Sequence, residues 1–141
     1  MTAVRTQPSG TGVSFTVPGR PVPHSLNKRY GKNGFVGFYL PPECAAYKEA
    51  VALFARRACR APLEGPVGLT VRAYAVPMGK GRMPDLTNVI KLVEDAVKGI
   101  CFGDDRWTRH SEGWLRAVDT QAEERVEVRV RRLAEGEWPD D

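Results

Sequence analysis

The sequence predicts an α/β domain of the α+β kind, a single mixed β-sheet with two helices packed on it. Three observations carry that expectation. Apolar residues alternate with polar ones in several short runs, which is the period of a half-buried strand. In two longer runs they recur every three or four residues, the period of an amphipathic helix. Along the chain these runs follow the order β, α, β, α, β, β. The 141 residues, 42% hydrophobic and 27% charged, suffice for one core and lie far from the composition of disordered chains.

Pro8, Ser9, Gly10 and Gly12 mark residues 1–12 as a flexible polar arm, ahead of a domain over 13–133 and an acidic tail over 134–141. Val13, Phe15 and Val17 alternate with Ser14 and Thr16 as a first strand, which Pro18 and Gly19 end. The stretch from Arg20 to Pro42 is long, basic and rich in proline and glycine, and is expected to be a structureless functional loop. Tyr47, Val51, Phe54, Ala55 and Ala58 then define a helix from about Glu43 to Arg60, stopped by Pro62. Val67, Leu69, Val71 and Ala73 alternate with Gly68, Thr70 and Arg72 as a strand reaching about Val76. Pro77, Gly79 and Gly81 punctuate a basic turn holding Lys80 and Arg82. A second helix is expected from about Leu86 to Lys98, capped by Asp85 and ended by Gly99, with Val89, Val93, Ala96 and Val97 facing the core. A tight connection over Ile100–Trp107 leads to a short strand opened by Trp107, and Val126, Val128 and Val130 form a closing strand.

The net charge of +4 conceals an asymmetry. Residues 1–83 carry 12 basic and three acidic side chains, a balance of +9, and residues 84–141 carry nine basic and 14 acidic ones, a balance of −5. Such asymmetry fits either a polyanionic partner or a solvated basic face. Cys44, Cys59 and Cys101 form no CxxC pair, so packed thiols in a reducing, cytoplasmic compartment are expected and a structural zinc site is not. No apolar run reaches the roughly 20 residues of a membrane span, and no signal-peptide pattern opens the chain.

The second helix concentrates the groups able to carry chemistry. Asn88, Lys91 and Asp95, three and four residues apart, share one face, Asp85 stands at the amino-terminal end, and Asp104 and Asp105 follow a turn that could return them alongside. Oxygen ligands at element ends suit magnesium, and a lysine beside them can neutralise a phosphodiester in its transition state. The plain alternative is a capping Asp85, an exposed Lys91 and an Asp-Asp turn with no shared purpose.

At this point the sequence resembles the RusA-like Holliday junction resolvases of bacteria and their phages. Phe15, Val17, Pro18, Gly19, Arg20, Pro21, Val22 and Pro23 look like that family's opening strand and proline-rich loop. Tyr47, Lys48, Val51 and Ala55 fall where its first helix does, and Leu63, Gly65, Pro66 and Val67 match the lead into its next strand. Most specific is Pro84, Asp85, Leu86, Thr87, Asn88, Ile90, Lys91, Asp95, Ala96 and Gly99, followed by Asp104, Asp105 and Arg106. The resemblance implies magnesium-dependent cleavage of branched DNA by a homodimer, with manganese able to substitute, one active site per subunit and symmetrical nicks across a four-way junction. It makes Asp85 and Asp105 metal-binding and catalytic carboxylates and Lys91 the catalytic lysine, with Asp104 assisting and Asn88 and Asp95 in support. Thr87 departs from the pattern, standing where the family carries a second aspartate, and a neutral side chain there weakens a magnesium site.

The resemblance also gives the basic stretches a role. Arg20, Lys28, Arg29, Lys32, Lys80 and Arg82 become candidates for contact with backbone phosphates, with Arg116 a further one. Tyr30, Phe35, Phe38 and Tyr39 either wedge into an open junction or pack at a dimer interface or over the sheet. Trp107, Trp114 and Trp138 are expected to be packing residues. Gly79–Arg82 lacks the spacing of a nucleotide loop, so no nucleotide cofactor is expected, and Ser25 beside His24 makes no nucleophile and base. Two other readings stand beside the junction nuclease. One is a non-catalytic branched-DNA binder of the same fold, and the other is a domain whose basic loop binds an acidic protein.

Overall fold

The computed structural model describes residues 10–30, 36–134 and 136–137, with backbone alone at 27–30, 36 and 38. Strand β1 (Gly12–Pro18) leads through an extended proline segment to a hairpin, β2 (Asn27–Tyr30) and β3 (Val36–Tyr39). Helix α1 (Pro42–Ala58), strand β4 (Val67–Ala75), helix α2 (Leu86–Val97), strand β5 (Thr108–Ala117) and strand β6 (Arg125–Arg132) complete the order. The hairpin pairs Asn27 with Tyr39 and Tyr30 with Val36, so the stretch expected to be structureless contains two short strands. Residues 1–9, Lys32, Phe35, Glu135, Trp138, Asp140 and Asp141 lie outside the described residues. Of the arm, Gly10 donates its N–H to the Arg132 carbonyl and Thr11 accepts from the Arg132 N–H, both at 2.7 Å.

The main sheet has the order β1-β6-β4-β5, antiparallel except for the parallel pair of β4 with β5. Parallel neighbours cannot be joined by a hairpin and need a crossover, and α2 makes it. Its buried stripe of Val89, Leu92, Val93, Ala96 and Val97 faces Val67, Leu69, Val71 and Ala73 of β4, and Val126, Val128 and Val130 of β6 extend the same core. Alpha-helical spacing on one side and strict alternation on the other meet in one apolar layer, and α1 covers its remainder through Cys44, Tyr47, Val51 and Ala55. Asp85 caps α2 through its Oδ1, which accepts from the Asn88 N–H at 3.2 Å, and Gly99 takes the positive φ of 83° that lets the chain turn away.

Strand β5 was expected to be short and instead spans ten residues. Its inward side carries Ser111, Gly113, Leu115 and Ala117, of which only Gly113 and Leu115 are half-buried, so no apolar alternation announces the strand. Gly113 lies directly under the crossover helix. A Cβ there would stand 2.5 Å from Ile90 Cδ1 and 3.2 Å from Leu86 Cδ1, so a side chain at position 113 would make these two side chains of α2 shift. The outward side of β5 brings a correction: Trp114 is 63% exposed and packs nothing. Trp107 is half-buried, with the Arg106 guanidinium 5.1 Å from its ring centre.

Candidate active site

The crossover topology decides where the acidic residues stand. Asp85 lies where the chain enters α2 after β4, and Asp104 and Asp105 lie where it leaves α2 for β5, which in a parallel β-α-β unit are opposite ends of the strands. Asp105 Oδ2 is 3.4 Å from Lys98 Nζ, and Lys98 caps the carboxyl end of a 12-residue helix about 18 Å long. The expectation that the turn returns Asp104 and Asp105 beside Asp85 therefore fails within one chain. Asp104 is occupied locally, its Oδ1 accepting from the Arg106 N–H at 3.0 Å and its Oδ2 lying 3.4 Å from Arg106 Nε.

Around Asp85 the structure assembles a more coherent set. Thr87 and Lys91 are exposed on the first two turns of α2, Asn88 is half-buried, and Lys91 makes no ion pair with any described residue. The proline segment lies along this helix. His24 donates its backbone N–H to the Asn88 carbonyl at 2.9 Å, its Nε2 stands 4.0 Å from Asp95 Oδ2, and the Cys44 thiol of α1 donates to the Pro23 carbonyl at 3.3 Å. His24, not expected to act as a base for Ser25, thus lies near Asp95. Beside Asp85 a groove of about 560 Å³ is lined by Arg20 and Arg82, by Glu43, and by Pro21, Pro23, Met78, Met83 and Pro84.

The basic candidates divide between those free to bind and those already paired. Lys80 and Arg82 are exposed on the turn that immediately precedes Asp85, closed by Met78 and Arg82 exchanging backbone hydrogen bonds of 2.9 and 2.7 Å. Arg20 is spent internally: its Nη1 donates to Glu124 Oε2 at 2.8 Å and to the Val76 carbonyl at 2.7 Å. Lys28 and Arg29 lie on β2, and Lys32 lies outside the described residues. Lys98, Arg72 and Arg129 were not singled out from the sequence; the register of β4 and β6 sets the last two on one face.

Fold and site together describe a single small α+β domain whose crossover helix presents an aspartate and a lysine without an ion pair beside a groove under the proline segment. The family model for the endodeoxyribonuclease RusA matches residues 18–131, and the chain belongs to that family. The family's activity is that of a Holliday junction endonuclease acting on branched DNA. No curated protein matches the chain. Nucleases of this family generally depend on a divalent metal. Within one chain the residues do not fit one, because no group of three or more His, Cys, Asp or Glu among the described residues converges closely enough to hold an ion.

Proposed function

We propose that the protein is a magnesium-dependent endodeoxyribonuclease that resolves Holliday junctions or related branched DNA by symmetrical phosphodiester hydrolysis, in recombination and repair. The observation that carries this reading is the exposed pair of Asp85 and Lys91 on the crossover helix, beside Arg82 and Lys80, within a chain of the RusA family. Lys91 neutralises the charge that gathers on the phosphate oxygens, and Lys80 and Arg82 hold the flanking phosphates. The reading makes the working unit a homodimer. Two copies related by a two-fold axis with their α2 helices antiparallel would bring Asp85 of one toward Asp104 and Asp105 of the other, and a divalent ion, magnesium or manganese, would be shared between them.

Mixing subunits tests this. Asp85→Asn and Asp105→Asn are each expected to abolish nicking of a synthetic four-way junction, as is Lys91→Ala, which also guards against contaminating nuclease. Refolded together in equal amounts, the two Asp variants form heterodimers with one intact composite site, and nicking should return to about a quarter of the native rate. No recovery on mixing would place both carboxylates in one subunit's site and overturn the shared arrangement. Thr87 favours a second reading, a binder that has lost cleavage; junction binding by the native protein without nicking in magnesium or manganese would establish it.

A further inference from the structure

The two helices cover one face of the sheet and leave the other open. Alternation fixes what that open face displays: Ser14 and Thr16 from β1, Arg125, Glu127, Arg129 and Arg131 from β6, Thr70, Arg72 and Tyr74 from β4, and His110, Glu112, Trp114 and Arg116 from β5. Its two acids are engaged by neighbours. Glu127 accepts from the Tyr74 hydroxyl at 3.0 Å and from Arg125 Nε at 3.3 Å, and Glu112 accepts from the Thr70 hydroxyl at 3.3 Å. Arg125 is held over the Tyr74 ring, 3.8 Å from its centre, and Arg131 is paired with Glu137 at 2.9 Å.

Three guanidinium groups remain, those of Arg72, Arg116 and Arg129, without a hydrogen bond or ion pair to any described residue. Register places them in a row. Arg129 stands opposite Thr70, Arg72 is two residues further along β4, and Arg116 stands opposite Tyr74, two residues further again. The row crosses β6, β4 and β5 on a diagonal, with neighbours about 7–8 Å apart. Trp114 lies directly opposite Arg72 and two residues from Arg116, with its indole open to solvent. Two depressions, of about 830 and 440 Å³, adjoin the row and share Arg72 in their walls.

We infer that this open face binds an unpaired DNA strand, its phosphates following the diagonal of Arg129, Arg72 and Arg116 and a base stacking on Trp114. The assignment to DNA rests on the nuclease reading above and extends it to a surface on the far side of the sheet from Asp85 and Lys91. Charge complementarity selects the occupant. A second copy laid face to face would set unneutralised arginines against arginines, whereas a polyanion releases its counterions on meeting them. A duplex would use the arginines and leave the indole idle. A single strand uses both, since every base offers a π-face to an aromatic platform.

The test is binding of a fluorescein-labelled 12-nucleotide oligo-dT to the full chain, followed by anisotropy. Trp114→Ala should weaken it about 5- to 150-fold, the range of one lost base stack, and Trp114→Phe should restore much of the loss. The native slope of log K against log salt should be about −2, falling by about 0.7 for each of Arg72→Gln and Arg129→Gln. Trp114 is exposed, so these variants keep the fold. Unchanged oligo-dT affinity in Trp114→Ala overturns the inference, as does equal affinity for blunt duplex with no response to that substitution. A fall in sedimentation mass caused by Trp114→Ala, with oligo-dT binding intact, also overturns it and makes the face a contact between copies. Junction nicking is followed on the same proteins. Native protein that binds oligo-dT through Trp114 yet never nicks a junction would remove the nuclease reading and leave the strand-binding face standing.

Discussion

Arg20 offers the sharpest separation of a structural role from a DNA-binding one. Glu124 Oε2 accepts from Arg20 Nη1 at 2.8 Å and from the Val76 N–H at 3.0 Å, and Arg20 closes the triangle on the Val76 carbonyl at 2.7 Å. The three residues follow β1, precede β6 and follow β4, so the triangle staples three strand ends together. The Glu124 side chain is 8% exposed and that of Arg20 31%. Arg20→Met removes two charge-assisted hydrogen bonds, each worth about 1.5–3 kcal/mol, and leaves a buried carboxylate with one donor. Discounted for the third of Arg20 that water reaches, the expected loss is about 3 kcal/mol, or about 6–12 °C in Tm for a domain of this size. Arg20→Met combined with Glu124→Gln keeps an acceptor for the Val76 N–H without a stranded charge, and should recover about 2 kcal/mol of that loss. Urea denaturation read with unchanged slope, alongside anisotropy on a four-way junction, makes the measurement. A Met variant within about 0.5 kcal/mol of native stability that nonetheless loses several-fold in junction affinity would refute the staple and return Arg20 to the phosphates.

Two further outcomes follow from particular sites. Thr87→Asp adds a carboxylate to the first turn of α2, which holds no acid now; it should stabilise the fold by about 0.5 kcal/mol through the helix dipole and lower the magnesium needed for half-maximal nicking. Unchanged metal dependence there would show that position 87 is not part of the metal site. Burial first, and then the neighbouring Cys59 thiol, push the Cys101 thiol up to about 12 from an ordinary 9.0, and burial raises the Tyr47 hydroxyl as well. Below pH 9 the Cys101 thiol is protonated in both folded and unfolded chains, and its contribution is fully present. Above pH 9 only the unfolded chain ionises, so stability should fall steadily from pH 9 toward 12, and a denaturation midpoint flat across that range would contradict the burial.

The strands and helices that bury a regular stripe were legible because burial imposes the period. Val126, Val128 and Val130 could belong only to a strand, and Val89, Val93, Ala96 and Val97 only to a helix against it. Strand β5 was legible in neither length nor partner, because an edge strand under a close helix carries Gly113 and Ser111 where an apolar signal would be. That one gap hid the parallel pairing with β4, and with it the fact that α2 is a crossover. A crossover separates the residues at its two ends, so Asp85 and Asp105 could be named as candidates from sequence but not seen to stand apart. Capping behaved differently, since Asp85 bonds the Asn88 N–H three residues on and nothing distant enters that geometry.

The charge asymmetry along the chain does not survive as an asymmetry in space, and the reason bears on where DNA is held. Counterion release depends on cations left unpaired by the protein, not on their number. Arg20, from the basic stretch, is consumed by Glu124; Glu127, from the acidic one, is held by Arg125, and Asp104 and Asp105 lie in exposed pairs with Arg106 and Lys98. Strict alternation then sends Arg129 and Arg116 of the acidic stretch to the same face as Arg72 of the basic one. Among the described residues, the unpaired cations include Lys80 and Arg82 ahead of Asp85, and the diagonal row beside Trp114 on the opposite side of the sheet. On the proposed function, the first group flanks the phosphate that Lys91 would meet, and the second lies on the other face of the sheet. A linear duplex engages one group at a time. A branched substrate, whose strands part in different directions, can satisfy both, and the two groups acting together would make affinity depend on branching without any base being read.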